Sequence, residues 1–277
     1  MSESFGERLT RAIESFGPLC VGIDPSPEVL EAWGRGDDVE GVEYVARRVV
    51  EALSGVVAVV KPQVAFFERF GAAGYGALER TLADAREAGL VTVGDAKRGD
   101  IATSAAAYGD AWLRPSSTLA VDALTVSPYL GVRALMPVVE RAASTGRGLF
   151  VVAGSSNPEG LVVQSARTVT GLSVEGHIVA EVRAVGSEIG DGVVGVVVGA
   201  TREHQGVDLR DLPGPILVPG VGAQGATVGD AARATRGARR ASVLINVGRG
   251  VLAAGPSRSR LASEAGRWRD ESAAILL

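Results

Sequence analysis

The chain of 277 residues is predicted to fold as a single (β/α)8 barrel, and three observations predict it. Short apolar, β-branched segments alternate with helical segments eight times, and strands separated by helices pair in parallel through crossovers. Several of these segments, above all residues 192–198, are apolar at nearly every position, as strands covered on both faces are. No G-x-G-x-x-G follows the first strand, where an open doubly wound sheet that binds dinucleotides would carry it. Length does not separate one domain from two, since α/β barrels reach this size as one unit. No linker and no internal sequence repeat divides residues 1–277, which are read as one domain.

Phe5, Leu9, Ile13 and Phe16 fall at helical spacing and stop at Gly17-Pro18, which predicts an N-terminal helix over 3–16. The first strand, 19–23, ends in Asp24-Pro25. A helix over 39–53 leads to a second strand, 56–60, which ends in Lys61-Pro62. A helix over 72–88 carries Leu78, Leu82 and Ala85 on one face and precedes the third strand, which begins at Val91 and carries Asp95. Helix 103–113 precedes strand 120–126, and helix 131–143 precedes strand 148–152. Residues 157–170 fit neither period, and helix resumes over 175–189. The last three strands fall at 193–198, 216–218 and 243–247, with a helix over 226–236 between the final two. The Ser/Arg-rich stretch 255–260 reads as loose ahead of a short last helix, so that 255–277 forms a C-terminal helical tail.

Hydrophobic residues make up 46% of the chain and aromatics only 5%, so the interior is built mainly from Val, Ala and Leu. Glycine, at 37 residues, is about twice its usual share of ~7%, which implies tight turns or close approaches of backbone to a ligand. With 28 basic and 32 acidic residues and a net charge of −4, the chain has no basic footprint for nucleic acid. The lone cysteine, Cys20, excludes an intramolecular disulfide, and with only His177 and His204 there is no Cys/His set for zinc, while a carboxylate metal site stays open. The polar start over 2–8 does not read as a signal peptide, and no apolar run approaches the ~18 residues of a membrane span. A soluble, cytoplasmic protein is the expectation.

The central stretch is Asp95-Ala96-Lys97-Arg98-Gly99-Asp100, two carboxylates and a lysine at D-x-K-x-x-D spacing on the end of an apolar strand. Residues two apart in a strand share a face, so Asp95 and Lys97 point together, with Asp100 in the turn beyond. Charges at a strand mouth are costly unless paired, and a cluster there is a candidate for chemistry. The plainer alternative is a structural ion pair, with Asp100 capping a helix that begins at Ile101. Asp24, Lys61, Ser127, Ser155, Ser156, Thr201, Arg202, Gln224 and Arg249 also follow predicted strands, and in a barrel these ends converge on the face that carries catalysis. Ser127, Thr201 and Arg202 are better read as turn residues. A lysine that ends an apolar strand, as Lys61 does, cannot easily snorkel to water.

The last two strands lead into the loops 219–226 and 246–250, both glycine-rich. Loops after strands seven and eight are the usual phosphate site of this fold, where backbone N–H groups face the anion and an arginine such as Arg249 adds a forked donor.

Taken together, Leu19-Cys20-Val21-Gly22-Ile23-Asp24-Pro25, Lys61-Pro62-Gln63-Val64-Ala65-Phe66-Phe67-Glu68, the D-x-K-x-x-D stretch and Val247-Gly248-Arg249-Gly250 resemble the orotidine 5′-phosphate decarboxylase family in its longer bacterial form, over residues 19–252. The resemblance implies a charged catalytic tetrad of Lys61, Asp95, Lys97 and Asp100, with Asp100 reaching into the neighbouring site of a homodimer. It implies that Asp24 binds ribose, Ser156 contacts the pyrimidine, Gln224 and Arg249 grip the phosphate, and Gly248 is a further substrate-binding residue. The family usually has threonine four residues after the last aspartate; here Thr103 and Ser104 are shifted by one, and Ser104 is taken as the hydroxyl for the partner's ribose, with Thr103 as the alternative.

The implied reaction converts orotidine 5′-phosphate to UMP without metal or organic cofactor. Loss of CO2 leaves a carbanion at C6, preorganised charge stabilises it, and Lys97 supplies the proton. Two other readings are a magnesium-dependent sugar-phosphate enzyme resembling hexulose-phosphate synthase, whose relatives carry glutamate where this chain has Lys61, and a silent nucleotide-binding barrel, which would not need all four charges.

Overall fold

The computed structural model describes residues 3–201 and 207–277; Arg202 and His204, singled out above, lie outside them. Helix α1 (Phe5–Phe16) starts in a capping box, in which the Ser4 side chain accepts from the Glu7 amide and the Glu7 carboxylate accepts in return. Strand β1 (Leu19–Ile23) is followed by α2 (Pro27–Ala32) and α3 (Val39–Leu53), and β2 (Val59–Pro62) by α4 (Ala65–Glu68) and α5 (Gly71–Glu87). Next come β3 (Val91–Arg98) with α6 (Ala102–Leu113), β4 (Ala123–Val126) with α7 (Met136–Ser144), and β5 (Gly148–Gly154) with α8 (Leu161–Gln164) and α9 (Val174–Ile189). Strands β6 (Val194–Val198) and β7 (Ile216–Val218), helix α10 (Val228–Ala234), strand β8 (Val243–Val247), and helices α11 (Arg249–Leu252) and α12 (Arg258–Leu276) complete the chain. The eight strands close in sequence order, β8 pairing in parallel with β1, so the barrel expected from the alternation is the fold.

Local physics explains the shifted boundaries. Strand β2 lies about three residues later than expected because Val56 and Val57 still donate to the Leu53 carbonyl, finishing the helix before the chain extends. Strand β4 starts at Ala123 because Ala120 donates back to Ser117 in the preceding turn and Val121 to Trp112 near the end of α6. Helix α6 starts at Ala102 behind Ile101, with no side-chain cap, so Asp100 is not its capping residue. The final helix is long rather than short. It takes in part of the stretch expected to be loose, because Ser257 caps it and Leu261, Ala265 and Leu276 bury an apolar stripe against the barrel. Residues 157–170, unassigned by periodicity, form one turn over Pro158–Gly160, then α8, then a chain reversal held by a bridge between Arg167 and Ser173.

Two apolar layers make the core: one between strands and surrounding helices, and one inside the barrel. The inner layer includes α1, whose Phe5, Leu9 and Ile13 plug the N-terminal end, Phe5 meeting Phe150 edge to face with centroids 6.1 Å apart. With that end stoppered, the inward row of polar side chains opens only at the C-terminal end. No helix among the described residues is long and apolar enough to cross a membrane.

Candidate active site

Inward-facing residues alternate along each strand, so the last inward positions of β1, β2, β3, β4 and β8 converge at the C-terminal mouth. They line a cavity of about 330 Å³ that brings together Asp24, Lys61, Asp95, Lys97, Thr125 and Asn246. Asp95 is its electrostatic centre. Lys61 Nζ donates to Asp95 Oδ2 at 2.6 Å and Lys97 Nζ to Oδ1 at 2.6 Å. Gln63 Nε2 adds a bond to Oδ2 at 3.1 Å, and Thr125 Oγ1 one to Oδ1 at 3.0 Å. Burial opposes ionisation of Asp95, but the two ammonium groups outweigh it and hold the carboxyl well below the ordinary carboxylate range. Burial likewise opposes the Lys61 charge, yet Asp95 and Asp24 outweigh it and raise its pKa. Both groups are therefore ionised at neutral pH. Cys20, buried in the inner layer, has its thiol pushed up to about 12 by burial and stays neutral.

Lys97 is half-exposed and sits with φ 47°, in the left-handed region. A non-glycine residue there costs roughly 1–2 kcal/mol, and it falls where the register of β3 on β4 shifts between Gly94 and Arg98, with the ammonium kept on Asp95. Asp100, three residues on, does not line this cavity; its Oδ1 accepts the Ile101 amide of its own chain at 2.8 Å. Ser104 and Thr103 are exposed on α6, also away from the cavity.

On the opposite wall, Asp24 has one carboxylate oxygen, Oδ1, buried with no hydrogen-bond partner among the described residues. Burial raises its pKa, with Lys61 opposing. The space it occupies depends on Gly248, where an added Cβ would come within 2.5 Å of Asp24 Oδ2. Asn246, two residues before Gly248 on the same inward face and paired with Cys20 of β1, also buries at the cavity floor an Oδ1 with no hydrogen-bond partner among the described residues. Buried polar atoms without partners are rare and point to a group that completes them.

The third wall comes from the loops after β5 and β7. Ser156 is held by Thr201, whose hydroxyl donates to the Ser156 carbonyl at 2.6 Å. Gly220, at φ 103°, lets the β7 loop pass this close: a Cβ there would meet Thr201 at 2.8 Å and Ser156 at 3.2 Å. Gln224 and Arg249 line the rim, both exposed, and Arg249 forms no ion pair among the described residues. A cavity with a buried charged array at its floor and, at its rim, a guanidinium that has no ion pair among the described residues suits an anionic ligand held at one end and transformed at the other.

Sequence reasoning missed Gln63, Thr125 and Asn246. Thr125 and Asn246 were legible only as polar residues at inward positions of apolar strands, and Gln63 as the residue two beyond Lys61. Among the described residues, no group of three or more His, Cys, Asp or Glu side chains is placed to hold a metal ion.

The family model described as "Orotidine 5'-phosphate decarboxylase / HUMPS family" matches residues 17–263. A Salinispora arenicola protein named orotidine 5′-phosphate decarboxylase is 52% identical over 266 residues, covering 96% of this chain and 95% of its own. A protein of the same name from Streptomyces coelicolor is 49% identical over 270 residues, covering 97% of each. Among solved structures, a Streptomyces avermitilis protein provisionally given that name superposes with a TM-score of 0.93 at 50% identity, covering 99% of this chain and 96% of that one.

Proposed function

The chain belongs to the orotidine 5′-phosphate decarboxylase family and is a carboxy-lyase that converts orotidine 5′-phosphate to UMP in pyrimidine biosynthesis; from that premise we propose how its residues divide the work. The C6–carboxyl bond breaks, CO2 departs, and the electron pair stays on C6. The Lys97 ammonium faces that developing charge and passes its proton to C6, then regains one from solvent. Lys61 and Asp95 hold the ammonium and the ribose in place. Asp24 Oδ1, buried and unpartnered, accepts a ribose hydroxyl. Ser156 contacts the pyrimidine, and Gln224, the Gly248 backbone and Arg249 take the phosphate. Binding energy from that remote phosphate serves the reacting bond. No metal or organic cofactor has a part in the proposed reaction.

The active unit is a homodimer in this proposal, with Asp100 of each chain placed beside the carboxylate of the partner's substrate and Ser104 beside its ribose. Support comes from the surface around Asp100: Ile101, Tyr129 and Leu130 are exposed on two loops tied by the Ser127 amide to the Arg98 carbonyl at 2.8 Å. A second copy of the chain would cover these apolar groups. The protein acts in the cytoplasm and has no nucleic-acid partner.

The observation that carries the proposal is the four-donor array on Asp95, which fixes one ammonium, Lys97, at the open side of a closed charge cluster. Lys61 sets the site apart from the magnesium-dependent relatives, which carry glutamate at that position. The test is turnover of orotidine 5′-phosphate by Lys97→Ala, followed by loss of ultraviolet absorbance. A fall of about 10⁴-fold or more in kcat, with UMP affinity within about tenfold, is expected. Near-normal turnover would remove Lys97 from the role of proton donor.

A further inference from the structure

We infer that Thr125 is a positioning residue for the decarboxylation: its hydroxyl ties the backbone of Lys97 to the carboxylate of Asp95, so that one side chain sets both ends of the proton-donating arm. The inference rests on the reading of Lys97 given above. Thr125 is buried on β4 and faces the cavity. Its Oγ1 accepts the Lys97 amide at 3.0 Å and lies 3.0 Å from Asp95 Oδ1. An ionised carboxylate can only accept, and a hydroxyl has one hydrogen and two lone pairs. Both bonds therefore form together, with the proton directed at Asp95. The Gly94 carbonyl, at 3.4 Å, is the more distant acceptor for the same proton.

The tie matters because of where it acts. Lys97 is in the left-handed region at φ 47°, a conformation that persists only when its surroundings hold it. The Lys97 amide is held by the Thr125 hydroxyl, and the Lys97 ammonium is held by the same Asp95 oxygen that this hydroxyl also reaches. The rest of β4 is Ala123, Leu124 and Val126, so no other side chain of that strand can replace the tie. Without it, the end of β3 is free to relax toward an extended φ, and the ammonium moves with it. Misplacement of a reacting group by about 1 Å can cost on the order of 10²-fold in rate.

The experiment compares Thr125→Val, which keeps the shape and loses the hydroxyl, Thr125→Ala, which loses it without new bulk, and Thr125→Ser, which keeps it, with Lys97→Ala as the control. Steady-state decarboxylation, UMP binding by calorimetry and thermal melting are measured for each. The expected result is a fall in kcat of about 10- to 100-fold for the two variants without the hydroxyl, UMP affinity within about threefold of wild type, and recovery to within about fivefold by serine. Wild-type kcat in the valine and alanine variants overturns the inference, as does a loss of UMP affinity that matches the loss of kcat. A serine variant as slow as valine overturns it too. Failure of both hydroxyl-free variants to fold assigns Thr125 to stability and equally overturns it. An active Lys97→Ala overturns the reading beneath it, whereas an inactive Lys97→Ala beside a normal Thr125→Val overturns the tie alone.

Discussion

The Lys61 ammonium stands 2.6 Å from Asp95 Oδ2 across the seam between β2 and β3, and both side chains are almost wholly withdrawn from water. Removing one partner of such a pair leaves the other charge buried alone, which costs about 3–5 kcal/mol, while removing both is often nearly neutral. Asp95→Asn is therefore expected to lower unfolding free energy on that scale, and Asp95→Asn with Lys61→Met to recover most of it in urea titrations. Additive losses in the double variant would show that the two charges stand independently.

The same pair sets a pH window. Asp95 is held below its unfolded value of about 3.9, with burial opposing and the two lysines prevailing. Its stabilisation is thus complete above that unfolded value and is lost as pH falls through the lower folded one. The stability gap between wild type and Asp95→Asn is expected to hold steady from about pH 5 to 8 and to narrow below about pH 4. A gap that widened on acidification would reverse the sign assigned to Asp95.

Arg249 lines the cavity rim, forms no ion pair among the described residues, and follows Gly248 at the start of α11. Arg249→Ala should weaken orotidine 5′-phosphate binding by about 1.5–3 kcal/mol or more, and should affect the phosphate-free nucleoside little. Calorimetry with both ligands decides it: equal losses would place the guanidinium elsewhere than on the phosphate.

The barrel was legible because its strands are apolar throughout and its helices carry a 3.6-residue stripe, two signals that rarely imitate each other over eight repeats. Boundaries were less so. Val56 and Val57 look like strand by composition, and only their hydrogen bonds to Leu53 show them finishing a helix. Helix α12 was underestimated because its apolar face is thin, with Leu261, Ala265 and Leu276 spaced among arginines and glutamates. In the site, Asp24, Lys61, Asp95 and Lys97 stood out because charge at the end of an apolar strand is costly without a purpose, and Gln224 and Arg249 because they sit in the glycine-rich loops after the last two strands. Thr125 and Asn246 did not, since a single small polar residue in a strand is ordinary in sequence. Their importance comes from register, which carries them to the inward face beside Asp95 and Asp24.

Turnover is expected to persist undiminished in excess EDTA. Lys61 and Lys97 place two ammonium groups against Asp95, where a divalent cation would need carboxylates, and no metal-competent cluster forms among the described residues. Activity that vanished on chelation and returned with Mg²⁺ would favour the chemistry of the magnesium-dependent relatives.

Asp100 lies outside its own cavity and turns its carboxylate back onto the Ile101 amide, while Lys97, three residues earlier, faces inward. If each site borrows Asp100 from its neighbour, Lys97→Ala and Asp100→Ala homodimers should both be nearly inactive, and mixing them should restore turnover. A mixed dimer then has one site lacking both residues and one site with its own Lys97 and the partner subunit's intact carboxylate. Random exchange makes about half the dimers mixed, each with one complete site of two, so an equimolar mixture should approach about a quarter of wild-type activity. Exchange is verified by mass spectrometry of the intact dimers before activity is read. A fully exchanged mixture no more active than its parents would show that Asp100 serves its own chain or none.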